Sequence, residues 1–516
     1  MMFMLFVDGV SDLLFNTLVI EKFSVGIGFE SFPHLSTIFI QLYLLAVVSV
    51  YIFRTSTLLP KIKLHPASLF LLSFGIMIFG GALLLMLPEM TTIDGSMPFI
   101  DALFTATSAN CVTGLTVVDT ATYFTFKGQL VILILIKLGG LNIVMFGGFL
   151  ALASKFGFGV KHHEVIEGFV SKDSLLSATG MMGKIFIWSI LIEGISSLLL
   201  FLFWDPAIPF KNIEEKTFFS VFHAVSAFNN AGFSLFTDNL FNEAVRYNYL
   251  VHIIIAGTVF FGSLGFVALF ELFSIENLRE RLKYPWKELE IGTKIALYYS
   301  VFLVLLGAAI IFFIESDKIL KDCTFLEAVI SSVFQSTVTR TAGYNTVDIS
   351  LLSTPVLFVM IFLMFIGASS SSTGGGVKTS SVAIMFASVY STIRGKKNVE
   401  LYKRNIPADL INNAIAIIIF YCAYIGVSLF ILSVSEMDNL SAHGKTFIDL
   451  LFENVSAMST VGLSTGVTSL LSGFGKAMII LSMFVGRVGT LTIIFAVAKS
   501  VISTNYKYPN ARTLVG

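Results

Sequence analysis

Four glycines, Gly114, Gly232, Gly343 and Gly462, recur at intervals of 111 to 119 residues, and each closes a short amphipathic stretch that follows an apolar run. The stretches run from Asp101 to Gly114, Phe219 to Gly232, Ile330 to Gly343 and Asp449 to Gly462. Aligned on the glycine, three carry an aromatic residue ten positions earlier (Phe104, Phe222, Phe452) and a serine six positions earlier (Ser108, Ser226, Ser456). Val333 and Thr337 fill those places in the third. Self-similarity at a fixed period outranks other fold signals, because each copy is one unit that buries its faces against its neighbours. Such a chain is constrained to a pseudo-fourfold arrangement.

The surroundings of the repeats are apolar. Of 516 residues, 55% are hydrophobic and 13% charged, with a mean hydropathy of +0.86, where soluble domains carry roughly 25% charged residues. Runs near 66–87, 128–151, 185–204, 249–273, 295–314, 355–393 (interrupted), 411–434 and 474–501 are long enough to cross roughly 30 Å of hydrocarbon as helices. A shorter run at 38–53 is a ninth candidate. The predicted fold is therefore an all-α polytopic membrane protein. It divides into an N-terminal extension with one extra transmembrane helix (1–65), pore repeats at 66–153, 185–275, 292–395 and 408–503, and a tail at 504–516. Basic residues gather at Arg54 to Lys63, Lys155 to Lys184, Arg279 to Lys294, Arg394 to Arg404 and Lys499 to Arg512. The positive-inside bias puts these segments in the cytoplasm and the four glycine stretches on the outer side. The net charge of zero names no partner. The three cysteines, Cys111, Cys323 and Cys422, imply no disulfide framework.

Each repeat reads as outer helix, re-entrant pore helix, filter loop and inner helix around one central pore. Non-helical backbone at membrane depth is tolerated only where it lines a water-filled cavity or is buried in protein. Glycine allows positive φ and close backbone approach, so carbonyl oxygens from four such loops can converge and replace the hydration shell of a monovalent cation. The candidate filter residues are Val112, Thr113 and Gly114, Asn230, Ala231 and Gly232, Thr341, Ala342 and Gly343, and Thr460, Val461 and Gly462.

The stretches Ser108 to Asp119, Phe228 to Phe233, Arg340 to Thr346 and Met458 to Gly466 closely resemble the four filters of the Trk/Ktr/HKT superfamily of potassium transporters. The resemblance covers residue 66 to the C-terminus and is strongest to the membrane subunit of bacterial Ktr systems. It includes Ser372-Thr373-Gly374-Gly375-Gly376-Val377-Lys378, similar to the family's intramembrane gating loop, and Gly486-Arg487-Val488-Gly489, similar to its inner-helix arginine. It implies potassium uptake across the cell membrane, because members with four filter glycines pass potassium while a serine in the first is associated with sodium. Sodium-coupled symport uses the same residues and stays open, as does a non-conducting scaffold subunit. The resemblance further implies a homodimer seated on a cytoplasmic ring of nucleotide-binding regulatory subunits. No cofactor and no nucleic acid are expected; potassium, and with it sodium, is the substrate, and membrane lipid surrounds the chain. The basic clusters at Arg279 to Lys287 and Arg394 to Arg404 are docking candidates or simply obey the charge bias.

The segment Gly367 to Val377 interrupts the third inner helix with small and polar residues that cannot face lipid as ordinary helix. Gly367 follows Gly343 by 24 residues and Arg487 follows Gly462 by 25, so at equal helical rise they share a depth below the filter. A mid-membrane arginine costs roughly 2.5–3.5 kcal/mol and must face a cavity or be paired. The expected gate is Gly367, Ser372, Thr373, Gly374, Gly375, Gly376, Lys378 and Arg487, with a purely structural pairing of Arg487 as the other reading. Val377 separates the last glycine from Lys378 and no strand precedes the segment, so it does not form a nucleotide loop. Lys137 departs from the family pattern, which has glutamine there; it either bonds between helices or faces the pore. Arg340 either tunes the electric field at the mouth or pairs with an acid such as Asp348. Cys111, three residues before a filter glycine, is expected to line the water path. His162-His163-Glu164 does not fit the His-Glu-x-x-His metal pattern. No nucleophile–base–acid arrangement is present, and no enzyme activity is expected.

Overall fold

The computed structural model describes residues 66–93, 95–155, 178–321 and 323–489, with the backbone alone at 66, 67 and 69 and over 142–155 and 178–182. The 1–65 extension with its candidate helix at 38–53, the His162-His163-Glu164 segment, the fourth repeat beyond 489 and the 504–516 tail lie outside the described residues. Residues Phe210–Phe218 are the described part of a unit separate from Pro66–Pro209 and the residues from Phe219 onward, and within it Asn212 opens a helix by accepting from the Glu215 N–H at 2.8 Å.

Four copies of one plan follow along the chain. Repeat 1 consists of α1 (Pro66–Leu85), the pore helix α2 (Phe99–Asn110) and α3 (Phe126–Lys155). Repeat 2 consists of α4 (Ala178–Phe203), the pore helix α5 (Ile213–Phe228), α6 (Tyr249–Leu264) and α7 (Phe266–Phe273), followed by a polar helix α8 (Ile275–Lys283). Repeat 3 consists of α9 (Ile291–Glu315), the pore helix α10 (Phe325–Thr339), α11 (Thr354–Phe365) and α12 (Thr379–Ile393). Repeat 4 consists of α13 (Ala408–Ala442), the pore helix α14 (Phe447–Met458) and α15 (Gly473–Val488). The residues 183–203 within α4, all of α9 and all of α13 are each long and apolar enough to cross a membrane alone. The pore helices are too short for that, and α10 and α14 start at polar caps. Thr324 with Glu327, and Thr446 with Asp449, close reciprocal boxes that satisfy the first N–H groups.

Pore helices are held from behind by the aromatic residues that the repeat pattern exposed. Phe104, Phe222 and Phe452 are fully buried, and in the third repeat Phe334 is the buried ring. Inner helices press on the ends of pore helices without side chains between them: a Cβ on Gly139, Gly262 or Gly486 would collide with the carbonyl of Asn110, Phe228 or Met458. These three carbonyls occupy the same register, four residues before the filter glycine.

Two features depart from the sequence expectation. The run 249–273 is not one helix, because α6 and α7 meet at Gly265 with a bend of 104°. A Cβ at Gly265 would strike the Ser370 carbonyl, and the Phe266 N–H donates to Ser371 at 3.0 Å. The bend makes room for the third repeat's loop, a partner 105 residues away that no local pattern reveals. The second departure is a two-stranded ribbon in an otherwise helical chain, β1 (Glu400–Leu401) paired antiparallel with β2 (Arg404–Asn405). Its turn holds Tyr402 and Lys403, both at positive φ (48° and 63°), a turn that ordinarily calls for Asn-Gly. The Tyr402 ring packs on Tyr298 and under the Lys294 ammonium, contacts that offset the backbone cost.

Candidate functional site

Each pore helix delivers its C-terminus to a tight turn. In repeats 1, 2 and 4 the residue two before the glycine adopts positive φ, 57° at Val112, 60° at Asn230 and 49° at Thr460, while Thr341 does not. The glycines themselves stand at 91°, 69°, 64° and 94°. The serine six positions back explains the difference. Thr113, Ala231 and Val461 N–H groups donate to the carbonyls of Ser108, Ser226 and Ser456 at 2.7–2.9 Å. The Ser108 and Ser456 hydroxyls also accept from Gly114 and Gly462 N–H at 3.1 Å, and the Ser226 hydroxyl donates to the Phe233 carbonyl at 2.9 Å. Thr337, in the serine's place, instead donates to Val333 within its helix, and the Ala342 N–H goes to Val338.

The four turns form a closed ring in chain order. A Cβ on Gly114 would run into the Ala231 carbonyl oxygen, on Gly232 into Ala342, on Gly343 into Val461, and on Gly462 into Thr113. Each glycine thus lies against the carbonyl that precedes the next glycine, and the fourth returns to the first. The Asn239 side chain bridges two repeats, donating to the Gly232 carbonyl at 3.1 Å and the Gly343 carbonyl at 3.5 Å. On one side the ring opens into a vestibule of about 600 Å³ that Asp119, Asp238, Asp348 and Lys445 help to line.

On the other side lies the third repeat's break. The chain leaves α11 at Ile366 and re-enters α12 after Lys378, and a parallel bridge between Ile366 and Val377 closes the neck. Gly374 packs on Thr341 and Gly375 on Thr460, so tightly that neither has space for a Cβ. Those threonines are filter residues, so the loop sits directly beneath the ring. Its tip reaches repeat 2, where the Thr373 hydroxyl donates to the carbonyls of Phe228 and Gly262 at 3.0 and 3.1 Å. The Ser369 N–H donates to the Ser263 carbonyl at 3.1 Å. Three cations hold its carbonyls. Arg487 donates to Thr373 and, at 2.9 Å, to Gly139 of repeat 1. Lys378 donates to Gly374 at 2.6 Å. Arg340 donates to Gly367 at 2.8 Å and to Ser300 of α9 at 3.4 Å.

Several expectations change at this point. Arg487 meets the loop at Thr373, while Gly367, its presumed partner in depth, is held by Arg340. Arg340 neither faces the mouth nor pairs with Asp348: it is 2% exposed at the buried end of α10, and Asp348 instead accepts from Ser350 N–H and hydroxyl at 2.9 and 2.7 Å. A pore helix points its C-terminus toward the centre, so three residues before the glycine is the deep end. Cys111, at the same register, does not line a water path; it is fully buried in an apolar cluster with Ile78, Phe104, Leu450 and Met483. Asn229 and Ser459 complete this register by bonding Glu193 of α4 at 3.1 Å and Tyr421 of α13 at 2.9 Å. The position therefore ties each of three pore helices to its own outer helix. Comparing that column across the repeats would have separated Arg340 from the mouth. Lys137 takes the first of its two readings: it pairs with Glu193 at 2.7 Å and donates to Ser189, joining α3 to α4.

Four short helices aimed at a ring of glycine turns, within a framework of membrane-length helices, define a pseudo-fourfold membrane pore protein. Residues 40–507 match the family of TrkH cation transport proteins, and the chain belongs to that family. It is 34% identical over 457 residues to the Ktr system potassium uptake protein B of Bacillus subtilis, covering 88% of this chain and 98% of that protein. It is 32% identical over 458 residues to the potassium/sodium uptake protein NtpJ of Enterococcus hirae, with the same coverage of 88% and 98%. The fold is also that of the crystal structure of the potassium transporter TrkH from Vibrio parahaemolyticus, with a TM-score of 0.67, 16% identity and coverage of 96% and 95%.

Proposed function

We propose that the chain is a potassium uptake pore in which the glycine ring is the selectivity filter and the 367–377 loop beneath it is the gate. The carrying observation is the closed ring: glycine backs onto carbonyl four times in chain order, with no side chain at the contact. Carbonyls so placed replace the hydration of a monovalent cation, and the pore-helix C-termini add partial negative charge. The acidic groups of the vestibule supply cations from the outer side, toward which the lysine and arginine bias orients the ring.

The gate reading rests on what the loop does beneath the filter. Three of its carbonyls, those of Gly367, Thr373 and Gly374, are already bonded to two guanidinium groups and an ammonium, and the same positive charges repel a cation leaving the filter. Passage requires the loop to leave Thr373's partners in repeats 2 and 4. The sodium-coupled reading is kept open by the relative whose name includes both ions. Rubidium-86 flux into liposomes separates the possibilities: passive conduction gives flux without sodium, symport gives flux only with it, and a scaffold gives none.

Control from outside fits the likeness to Ktr proteins, with a homodimer on a cytoplasmic nucleotide-binding ring as partner. The basic clusters are partly neutralised by their own chain, through Lys287 with Glu280, Lys294 with Glu288 and Lys396 with Glu400. Lys397, Lys403 and Arg404 at the ribbon that follows α12 then carry the docking charge, and α12 leads from there to the loop. Reversing these three charges abolishes nucleotide control of flux if the route is right and leaves it intact if the ring docks elsewhere.

A further inference from the structure

Two buried polar side chains on the pore helices are absorbed by neither filter nor gate. His223 of α5 and Glu453 of α14 each stand nine residues before a filter glycine and are fully buried. Each reaches the serine two residues after that glycine. The Nδ1 of His223 lies 2.7 Å from the Phe219 carbonyl and must donate to it, which leaves Nε2 of the neutral ring to accept from the Ser234 hydroxyl at 3.0 Å and the Leu235 N–H at 3.4 Å. The Glu453 carboxylate accepts from the Ser464 hydroxyl at 3.0 Å and from the Thr468 hydroxyl. In both repeats the serine oxygen then accepts the N–H two residues further on, from Phe236 at 3.0 Å and from Gly466 at 2.9 Å. An imidazole and a carboxylate thus perform one task, that of a buried acceptor anchoring the strand that climbs out of the filter. The other two repeats lack the device. Position nine before the glycine holds Thr105, whose hydroxyl donates to Asp101 within its own helix at 2.9 Å, and Phe334, which cannot accept.

We infer that His223 and Glu453 are positioning residues for ion selection, bracing the outer limb of the filter in repeats 2 and 4, so that this brace is twofold and not fourfold. The inference rests on the reading of the glycine ring as the ion filter. Ring order alternates the repeats, so the braced limbs face each other across the axis. Between them stand limbs without that acceptor; the repeat 3 limb is tied instead through Tyr344, whose hydroxyl reaches the Phe233 and His223 carbonyls of repeat 2 at 3.3 and 3.4 Å. A carbonyl cage discriminates between ions of different size only as far as its oxygens are held at a set spacing or field. Loss of the acceptor removes the bond that holds the Ser234 or Ser464 hydroxyl to the pore helix, and the limb is released to follow the ion.

The test is rubidium-86 uptake with competing sodium by the full chain, in a bacterial strain lacking its own potassium uptake. Glu453→Ala and His223→Ala each raise the KM for rubidium about tenfold, the size of a lost buried hydrogen bond, and weaken the preference over sodium, with maximal rate changed less than KM. Glu453→Gln and His223→Gln, which keep an acceptor near the serine, recover most of both. Thr105→Ala, at the same register without a brace, stays close to the parent. Where the alanine variants insert poorly, Ser464→Ala and Ser234→Ala remove the other half of each brace, and the same two changes are expected. Unchanged KM and preference in the brace variants overturn the inference, as do equal losses in the Thr105 control or failure of both glutamines to recover function. Gly232→Ser in the same assay separates the two levels. If it too is without effect, the filter reading fails; if it alone acts, only the braces fail.

Discussion

The ring and the loop below it lie in contact, yet they are built on opposite principles. Every repeat contributes one glycine turn to the ring, shaped by residues within about ten positions of the glycine, so each quarter carries its own instructions. The loop comes from one repeat alone, and its position is set by groups of repeats 2, 3 and 4, the Phe228 and Gly262 carbonyls, Arg340 and Arg487, the last anchored in turn on the Gly139 carbonyl of repeat 1. A repeated element is local and redundant, whereas a unique element depends on distant partners. On the filter and gate reading proposed above, selection is then carried by the repeated element and control by the unique one.

The largest expected effect falls on the ring. Gly462→Ser places a Cβ against the Thr113 carbonyl and forces a non-glycine residue to φ +94°. Such backbone costs on the order of 1–3 kcal/mol before the clash is counted. Rubidium-86 uptake at equal membrane insertion should fall by about tenfold or more, or lose its preference over sodium. Parent-like uptake with parent-like preference would remove the ring from the ion path.

A smaller effect of opposite sign tests the loop. Arg487→Ala removes two bonds from a charged donor, each worth about 1.5–3 kcal/mol at most, and frees the Thr373 tip. Maximal flux should rise about three- to tenfold with selectivity unchanged. Arg340→Met frees the neck at Gly367 rather than the tip, and both of its bonds stay within repeat 3. Its rise should be smaller, about twofold, and the double variant should fall short of the product, because both grips act on one loop. Equal flux in all three at matched insertion means that the loop is no barrier.

This contrast also sets what was legible from sequence. The ring could be read because four copies of a short pattern confirm one another, down to the serine that three of them share six positions before the glycine. The interruption at 367–377 was visible as residues unfit for lipid. Its docking was not, since the bend at Gly265 and the grip of Arg340 are tertiary facts about segments more than 25 residues apart. The Tyr402–Lys403 turn was hidden because its residues are poor formers of the turn they make, stabilised by Tyr298 and Lys294 on another helix. Lys137 was legible as a departure, and geometry supplied Glu193.

That pair makes the third prediction, which concerns stability rather than flux. Lys137 and Glu193 bridge α3 and α4, with Ser189 and Asn229 sharing the carboxylate. Lys137→Met leaves Glu193 with neutral donors only. Because the lysine is partly exposed (22%), the cost is discounted from the 3–5 kcal/mol of a fully buried pair to about 1–2 kcal/mol. Thermal denaturation in detergent should begin a few degrees lower, flux per folded molecule should hold, and Lys137→Met with Glu193→Gln should regain part of the loss. A change in ion preference in the single variant would put Lys137 on the ion path instead.

The smallest expected effect is none, and it separates the ring from the packing behind it. Cys111 belongs to the filter stretch by sequence but to an apolar cluster by contact, between α1, α2, α14 and α15. The helix that aims its last carbonyls at the axis turns the side chain at this position away. Silver ion reaching the ring through the vestibule should therefore inhibit the parent and Cys111→Ser alike, with any thiol-dependent part traced to the exposed Cys422. A serine variant that resists silver while conducting normally would mean that water reaches the thiol. The turn from Cys111 to Gly114 would then be open on both faces, and the distinction between a rigid, self-contained ring and a loop held from outside would lose its clearest support in repeat 1.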